Sequence, residues 1–379
     1  MNRTFIFLYL NTGSGHITAA KVLKQAMEQR YPDVSVRMIN GFDRKNRFGK
    51  LVFEYGYGLS CNYFHGLFPL VYDLAQHRFF QTLFAFGLSF HIPRYLRDII
   101  IGNYVTDVVS FHFALTPPLK KAVRRVPWHV NVTEIVTDPF NGPHSWFYER
   151  DQHFLVYSEM MKNMAVRECG IRSENIKVIP FLMNGKFRIR ATTDEIRALR
   201  LKHGFDPDRK IVLLAGGGEG LPGAVEIINQ CLFHRADFAV AVVCGRDKAK
   251  KHMLDVLHFT YPKFDLHVFG YVDFMDELIK LCDCAVIKAG PATLMEVLVS
   301  RKPVIICKYI HNQELENVRY AVAHHVGWFV QRPRDIYRKI DELLNGSPSR
   351  SMEQNFDSVD IDTDAGKAAD QLIENRWPE

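Results

Sequence analysis

"IVLLAGGGEGLPGAVEIINQCL", residues 211–232, passes from an apolar run through a cluster of glycines into a helix-like pattern. Ile211 to Ala215 are apolar without alternation, which is how a strand covered on both faces of a parallel sheet reads. Gly216, Gly217, Gly218 and Gly220 then surround Glu219. Glycine lets the backbone come close to phosphate oxygens, and the free N–H groups and dipole of the following helix favour negative charge. A tight turn does not require three glycines in a row, so this loop is predicted to touch a diphosphate. It is no P-loop, because the Gly-Lys-Ser/Thr ending is absent.

The same strand–glycine–helix unit recurs on both sides of this stretch. "VIKAGPATLMEVLVSRKPVIICKYIHNQELENVRYAV", residues 286–322, ends a strand at Lys288 and turns at Ala289-Gly290. Pro291 stands where a first helical turn tolerates it. Thr293 is placed to donate to a phosphate, and Glu296, one turn on, to accept from ribose hydroxyls. Gln313, Glu314 and Asn317 open the next helix with the mixed donors and acceptors that a sugar needs. Near the start, "FLYLNTGSGHITAAKVLKQAM", residues 7–27, has the same form with His16 at the helix mouth. Position 18 is Thr, so Gly13-Ser14-Gly15 does not continue into a dinucleotide fingerprint.

Between these units, short β-branched runs alternate with helical patterns, which implies an α/β chain with mainly parallel sheets. Strands are expected at 4–10, 34–39, 105–111, 129–136 and 153–157, and again at 210–215, 238–244, 266–269, 284–288 and 303–308. The expected architecture is two Rossmann-like, doubly wound domains facing a cleft, with a linker near residue 185. The boundaries are 1–185 for an acceptor- and membrane-binding domain and 186–350 for a donor-binding domain. Residues 351–379 are a polar tail ending in a helix that packs back on the first domain. "DSVDIDTD" in that tail lacks the glycine and terminal glutamate of a calcium loop and is expected to be solvated.

The 379 residues are 47% hydrophobic and 24% charged, the composition of a folded chain with room for two cores. The seven cysteines are scattered, and Cys282 and Cys284 are too close for a usual zinc pair, so reduced core thiols are expected and no metal site. The net charge of +6 lies within the first hundred residues, which suggests an anionic partner there. Residues 42–95 hold fifteen Phe and Tyr. The uncharged piece 79–93 is too short to span a bilayer and ends at a proline. Phe79, Phe80, Phe84 and Phe86, with Arg44, Lys45 and Arg47 upstream, suit a segment lying on an anionic leaflet. No nucleic-acid-binding motif accompanies the basic residues. Neither a transmembrane helix nor a signal peptide is expected, since the opening apolar run is short and meets the glycine loop at once.

"TGSGH", "VTD…H..WF", "GGGEG", "VVCGR", "FGYV", "CDC…KAGPAT..E" and "NQE..NV" occur here in one order. This resembles the monogalactosyldiacylglycerol synthase group and the related bacterial diacylglycerol glucosyltransferases of glycosyltransferase family 28, over about residues 4–340. The resemblance implies a B-type glycosyltransferase fold. It also implies an inverting transfer of galactose or glucose from UDP-galactose or UDP-glucose to diacylglycerol, at the cytoplasmic face of a membrane. The enzyme would be peripheral, and would need no cofactor beyond the donor. Carried over by position, His16 is the general base, with Gly15 beside it and Asp138 as a catalytic partner. The donor falls to Gly217, Gly218 and Glu219, the uracil-contacting turn at Tyr271 and Val272, and Lys288, Gly290, Thr293 and Glu296. Gln313, Glu314 and Asn317 match the part that reads the sugar. A near-neutral imidazole suits the base, since an acceptor hydroxyl loses its proton as it attacks the anomeric carbon. Ser14, Ala292, Asn312 and Glu316 stand where the family has glycine. The alternatives are another lipid acceptor, polyprenyl-linked or sterol, a UDP-sugar epimerase on a related fold, or a membrane-bound UDP-sugar sensor without turnover.

Overall fold

The computed structural model describes residues 3–11, 14–42, 76–87, 92–310, 312–346 and 350–374. Arg44, Lys45 and Arg47 lie outside the described residues, as does most of the aromatic segment. The chain divides into two compact units, 3–184 with 312–313 and 362–374, and 185–310 with 314–361.

The first unit is built on a six-stranded parallel sheet. Its strands are β1 (Thr4–Tyr9), β2 (Ser35–Asn40), β3 (Asp107–Ser110), β4 (Asn131–Ile135), β5 (His153–Val156) and β6 (Ile176–Val178). They lie in the order β2-β1-β3-β4-β5-β6. Phe5 and Phe7 of β1 point to one face, where Ala19, Ala20, Leu23 and Met27 of the Ser14–Arg30 helix cover them. The spacing of those four residues keeps them on one helical face. Ile6 and Leu8 point to the other face and meet Leu96, Ile100 and Leu119. The Ala365–Glu374 helix adds Ala368, Ala369 and Leu372 to the first of these cores. It is tied down by Arg3, which donates to Ile373 O at 2.7 Å, by Tyr31 OH on Asp370 at 2.7 Å, and by the Arg30–Asp370 ion pair.

The second unit repeats the plan. Its strands are β7 (Ile211–Ala215), β8 (Ala239–Val243), β9 (Leu266–Phe269), β10 (Cys284–Lys288), β11 (Val304–Lys308) and β12 (Gly327–Phe329). The order is β12-β11-β10-β7-β8-β9, again all parallel. Val212, Val240, Val286 and Ile305 pack on Ile227 and Ile228 of the Ala224–Phe233 helix, and on Ile336 and Ile340 of the Pro333–Asn345 helix.

Two short edge strands, β6 and β12, escape the sequence reading because three residues carry no usable period. The polar tail also holds a helix that the sequence pattern does not show. Arg350–Asp357 is a helix of the second unit, and Phe356 is buried beneath the Arg301 guanidinium at 5.6 Å. Arg301 also donates to Asp357 at 2.7 Å and to Glu353 O at 2.5 Å, and Asn355 donates to His325 O at 3.2 Å.

In each sheet the connections reverse direction once, between β1 and β3 and between β7 and β10. Carboxyl ends of strands beside such a reversal are where doubly wound folds bind ligands. The helix start carrying Gly15 and His16 follows β1, and the Phe111-His112 pair follows β3. The glycine cluster at 216–220 follows β7, and Ala289-Gly290 follows β10.

Candidate active site

His16 sits in the first turn of the Ser14–Arg30 helix. Its Nδ1 is 2.8 Å from Phe111 O and 2.9 Å from Thr137 Oγ1. A carbonyl oxygen only accepts, so Nδ1 carries the proton and Nε2 presents a lone pair. The ring lies among other rings, 4.9 Å from His112 and 6.1 Å from Trp146. Burial there pushes its pKa down to about 4, against the opposing pull of the Phe111 carbonyl. The imidazole is therefore neutral at pH 7. No side chain meets an added Cβ at Gly15 within 4 Å, so the backbone beside the base is open.

Asp138, expected as a catalytic partner, is engaged elsewhere. Its Oδ2 accepts from Trp146 Nε1 at 2.8 Å and its Oδ1 from Gln313 Nε2 at 3.2 Å. The place a carboxylate would take beside Nδ1 is filled by Phe111 O and Thr137. Thr137 is a residue the sequence reading missed, and its signal was its position inside the "VTD" motif.

In the second unit the glycines divide by what surrounds them. An added Cβ at Gly220 would lie 2.7 Å from Cys244 O, one at Gly216 would overlap Gly220 O, and one at Gly245 would overlap Gly218 O. Those glycines close the loop on itself and on the end of β8. Gly217 and Gly218 have nothing within 4 Å of a Cβ, so their backbone faces open space. Glu219 is exposed, and its carbonyl accepts from Lys250 Nζ at 3.0 Å. Gly218 O also receives Arg246 N at 2.8 Å. The Arg246 guanidinium stands 5.5 Å from the ring of Tyr271, which is 64% exposed, and Val272 beside it is half-buried. Arg246 was absent from the residues expected to act, although "VVCGR" contains it. Guanidinium and phenol together offer a flat, cationic platform next to the open glycine backbone.

Two of the expected sugar readers have partners within the chain. Glu314 is buried, pairs with Lys288 Nζ at 3.1 Å and accepts from Ile310 N at 2.7 Å. Asn317 is buried and donates to Ala289 O at 2.8 Å. Both side chains are committed to the ends of β10 and β11, which they hold in shape. Gly290 packs against this pair, with an added Cβ in ordinary contact with Lys288 and Glu314. Thr293 is half-buried in the first turn of the Pro291–Val299 helix. Glu296, one turn later, has its pKa raised to about 8 by burial and by neighbouring Asp276, so its carboxyl is largely protonated at pH 7. Asn312 has φ of 60°. This is the left-handed region that glycine enters freely and asparagine tolerates.

Among the described residues no group of three His, Cys, Asp or Glu side chains could hold a metal ion, and no helix is long and apolar enough to cross a membrane. On the Arg78–Gly87 helix, Phe79, Leu83 and Phe86 are 74%, 58% and 62% exposed while Ala85 is buried. Their spacing puts them on one outward face. Phe80 is half-buried and meets Phe79 edge to face at 5.5 Å; Phe84 belongs to the same helix.

Residues 211–366 match the model of the glycosyltransferase family 28 C-terminal domain. The chain is 26% identical to the processive diacylglycerol beta-glucosyltransferase of Bacillus licheniformis, over 98% of this chain and 95% of that protein. It is 25% identical to monogalactosyldiacylglycerol synthase 1, chloroplastic, of Arabidopsis thaliana, over 92% of this chain and 66% of that protein. Among solved structures it resembles the glycosyltransferase SnogD of Streptomyces nogalater, with a TM-score of 0.63 at 14% identity over 98% of this chain and 99% of that one. It also resembles Acinetobacter baumannii MurG, with a TM-score of 0.60 at 12% identity over 98% and 99% of the two chains. Two doubly wound parallel units with these neighbours are the B-type glycosyltransferase fold.

Proposed function

We propose, for a chain whose second unit carries the glycosyltransferase family 28 domain, a transfer of glucose or galactose from a UDP-sugar to diacylglycerol with inversion at the anomeric carbon. The observation that carries the reading is the neutral His16, its Nδ1 proton given to Phe111 O and Thr137 and its Nε2 free to accept. The near full-length likeness to diacylglycerol glycosyltransferases supports the choice of substrates.

The acceptor hydroxyl gives its proton to Nε2 as its oxygen bonds to the anomeric carbon from the face opposite UDP. The bond from that carbon to the UDP oxygen breaks, and an α-linked donor becomes a β-glycolipid. Charge gathering on the diphosphate is met by the open backbone N–H groups of Gly217 and Gly218 and by the amino end of the Pro291–Val299 helix. In this scheme the helix termini do the work that a divalent cation does in other transferases. The protonated Glu296 offers the ribose a donor as well as an acceptor.

The apolar face of Phe79, Leu83 and Phe86, with exposed Arg78 and Arg94 near it in sequence, rests on an anionic leaflet and brings the enzyme to its lipid. The decisive experiment follows transfer from labelled UDP-glucose and UDP-galactose to diacylglycerol vesicles, with and without phosphatidylglycerol, for the native chain and His16→Ala. A labelled β-glycolipid made by the native chain and lost in the variant is expected. Binding of UDP without any lipid product from either donor overturns the proposal.

A further inference from the structure

The carbonyl that holds His16 belongs to the peptide joining Phe111 to His112, and every bonding group around that peptide is fixed. Phe111 N donates to Leu8 O at 2.9 Å, which ties the end of β3 to β1. The N–H of the peptide itself reaches Ser110 Oγ at 3.4 Å, and Ser110 Oγ donates onward to His112 O at 3.1 Å. The His112 ring caps the short helix Phe113–Leu115, its Nδ1 accepting from Ala114 N at 3.2 Å. His112 is buried, stacked on Phe113 at 4.6 Å and 4.9 Å from the ring of His16.

We infer that His112 is the positioning residue of the base: by capping Ala114 it fixes the Phe111–His112 peptide, so that Phe111 O and Thr137 Oγ1 hold Nδ1 of His16 and leave Nε2 to the acceptor. This rests on the reading of His16 as base. The chemistry favours the arrangement. A main-chain carbonyl and a hydroxyl select one tautomer of the imidazole as a carboxylate would, without a negative charge that would favour the imidazolium. Accepting from a backbone N–H through Nδ1 places the proton of His112 on its Nε2 and keeps that ring neutral as well, a state its burial also favours.

Two substitutions separate the cap from the ring. His112→Asn keeps a side-chain acceptor at the cap and removes the ring; His112→Phe keeps an aromatic ring and removes the acceptor. For the Phe variant kcat is expected to fall by about tenfold to a hundredfold, the cost of a base displaced by a fraction of an ångström to one ångström. The KM for the UDP-sugar should stay unchanged, and the Asn variant should remain near the native rate. Nitrogen-15 spectra of labelled histidine read the clamp without turnover. The native chain and the Asn variant should show His16 as a single tautomer protonated at Nδ1, and the Phe variant a mixture. The reverse order of the two variants, or a His16 tautomer untouched in the Phe variant, overturns the inference. Should the Phe variant fail to fold, the Asn variant decides alone, since a lost rate or tautomer there means that the ring and not the cap positions the base. If the native chain transfers no sugar while the nitrogen pattern responds as stated, the proposed activity fails and the positioning role of His112 stands.

Discussion

Gly218→Ala and Gly245→Ala should damage the protein in opposite ways. A methyl group at Gly218 meets nothing within 4 Å, and its backbone lies outside the left-handed region, so stability should change by no more than about 0.5 kcal/mol. That methyl group projects into the space where the diphosphate is expected. A phosphate oxygen held about 2.9 Å from the backbone N–H would be pushed away, removing a charge-assisted hydrogen bond worth roughly 1.5–3 kcal/mol. UDP should then bind about tenfold to a hundredfold more weakly. At Gly245 the conflict is internal. Its φ is 59°, and a Cβ would stand 2.7 Å from the Gly218 carbonyl carbon and 3.1 Å from Gly220 N. Alanine in that conformation costs about 1–2 kcal/mol. The retreating loop would also loosen the Arg246 N to Gly218 O bond, worth roughly another 1 kcal/mol. A total near 2–3 kcal/mol corresponds to a melting point lower by roughly 5–10 °C for a unit of this size. Calorimetric titration with UDP beside thermal unfolding of both variants gives the answer. Native UDP affinity in Gly218→Ala would refute the reasoning, because the open backbone would then not be where the diphosphate lies.

Four further outcomes follow from other parts of the molecule. With the pKa of His16 at about 4, kcat/KM should hold from pH 7.5 to 5.5, where an ordinary imidazole would be only about one-tenth neutral; a fall centred near pH 6.5 contradicts the assignment. The folded pKa values of His16 and His153, both lowered to about 4, mean that the unfolded chain binds more protons between pH 6.5 and 4, so denaturation midpoints should drop as pH falls through that window. Lys288→Met leaves the buried Glu314 carboxylate without its ammonium and should cost about 3 kcal/mol in urea unfolding, part of it recovered by adding Glu314→Gln. Replacing Phe79, Leu83 and Phe86 together by serine should leave the melting point within about 2 °C, because these side chains are exposed, and cut sedimentation with anionic vesicles by about a hundredfold.

Strands buried on both faces announce themselves, because covering both sides of a sheet demands an unbroken apolar run. Ile211–Ala215 and Cys284–Lys288 were legible for that reason, and so was the repetition that makes two doubly wound units. His16 was legible too, as an imidazole at a glycine-loop helix start. Its partners were not: Phe111 and Thr137 lie 95 and 121 residues away, and only the parallel alignment of β1, β3 and β4 brings their oxygens to Nδ1. The partners of Glu314 and Asn317 were not legible either, because a sequence shows that a polar group exists but not what it already satisfies. Burial made them bond to Lys288, Ile310 N and Ala289 O, since an unpaired polar group inside a protein is costly. Likewise the helix Arg350–Asp357 has too few apolar residues to read as packed, and becomes so through Arg301 and the Asn355 bond to His325 O. Local pattern thus fixed the elements and the kinds of chemistry available. The pairing of groups distant in the chain, which sets tautomer, charge and exposure, was decided by the way the sheets bring strand ends together.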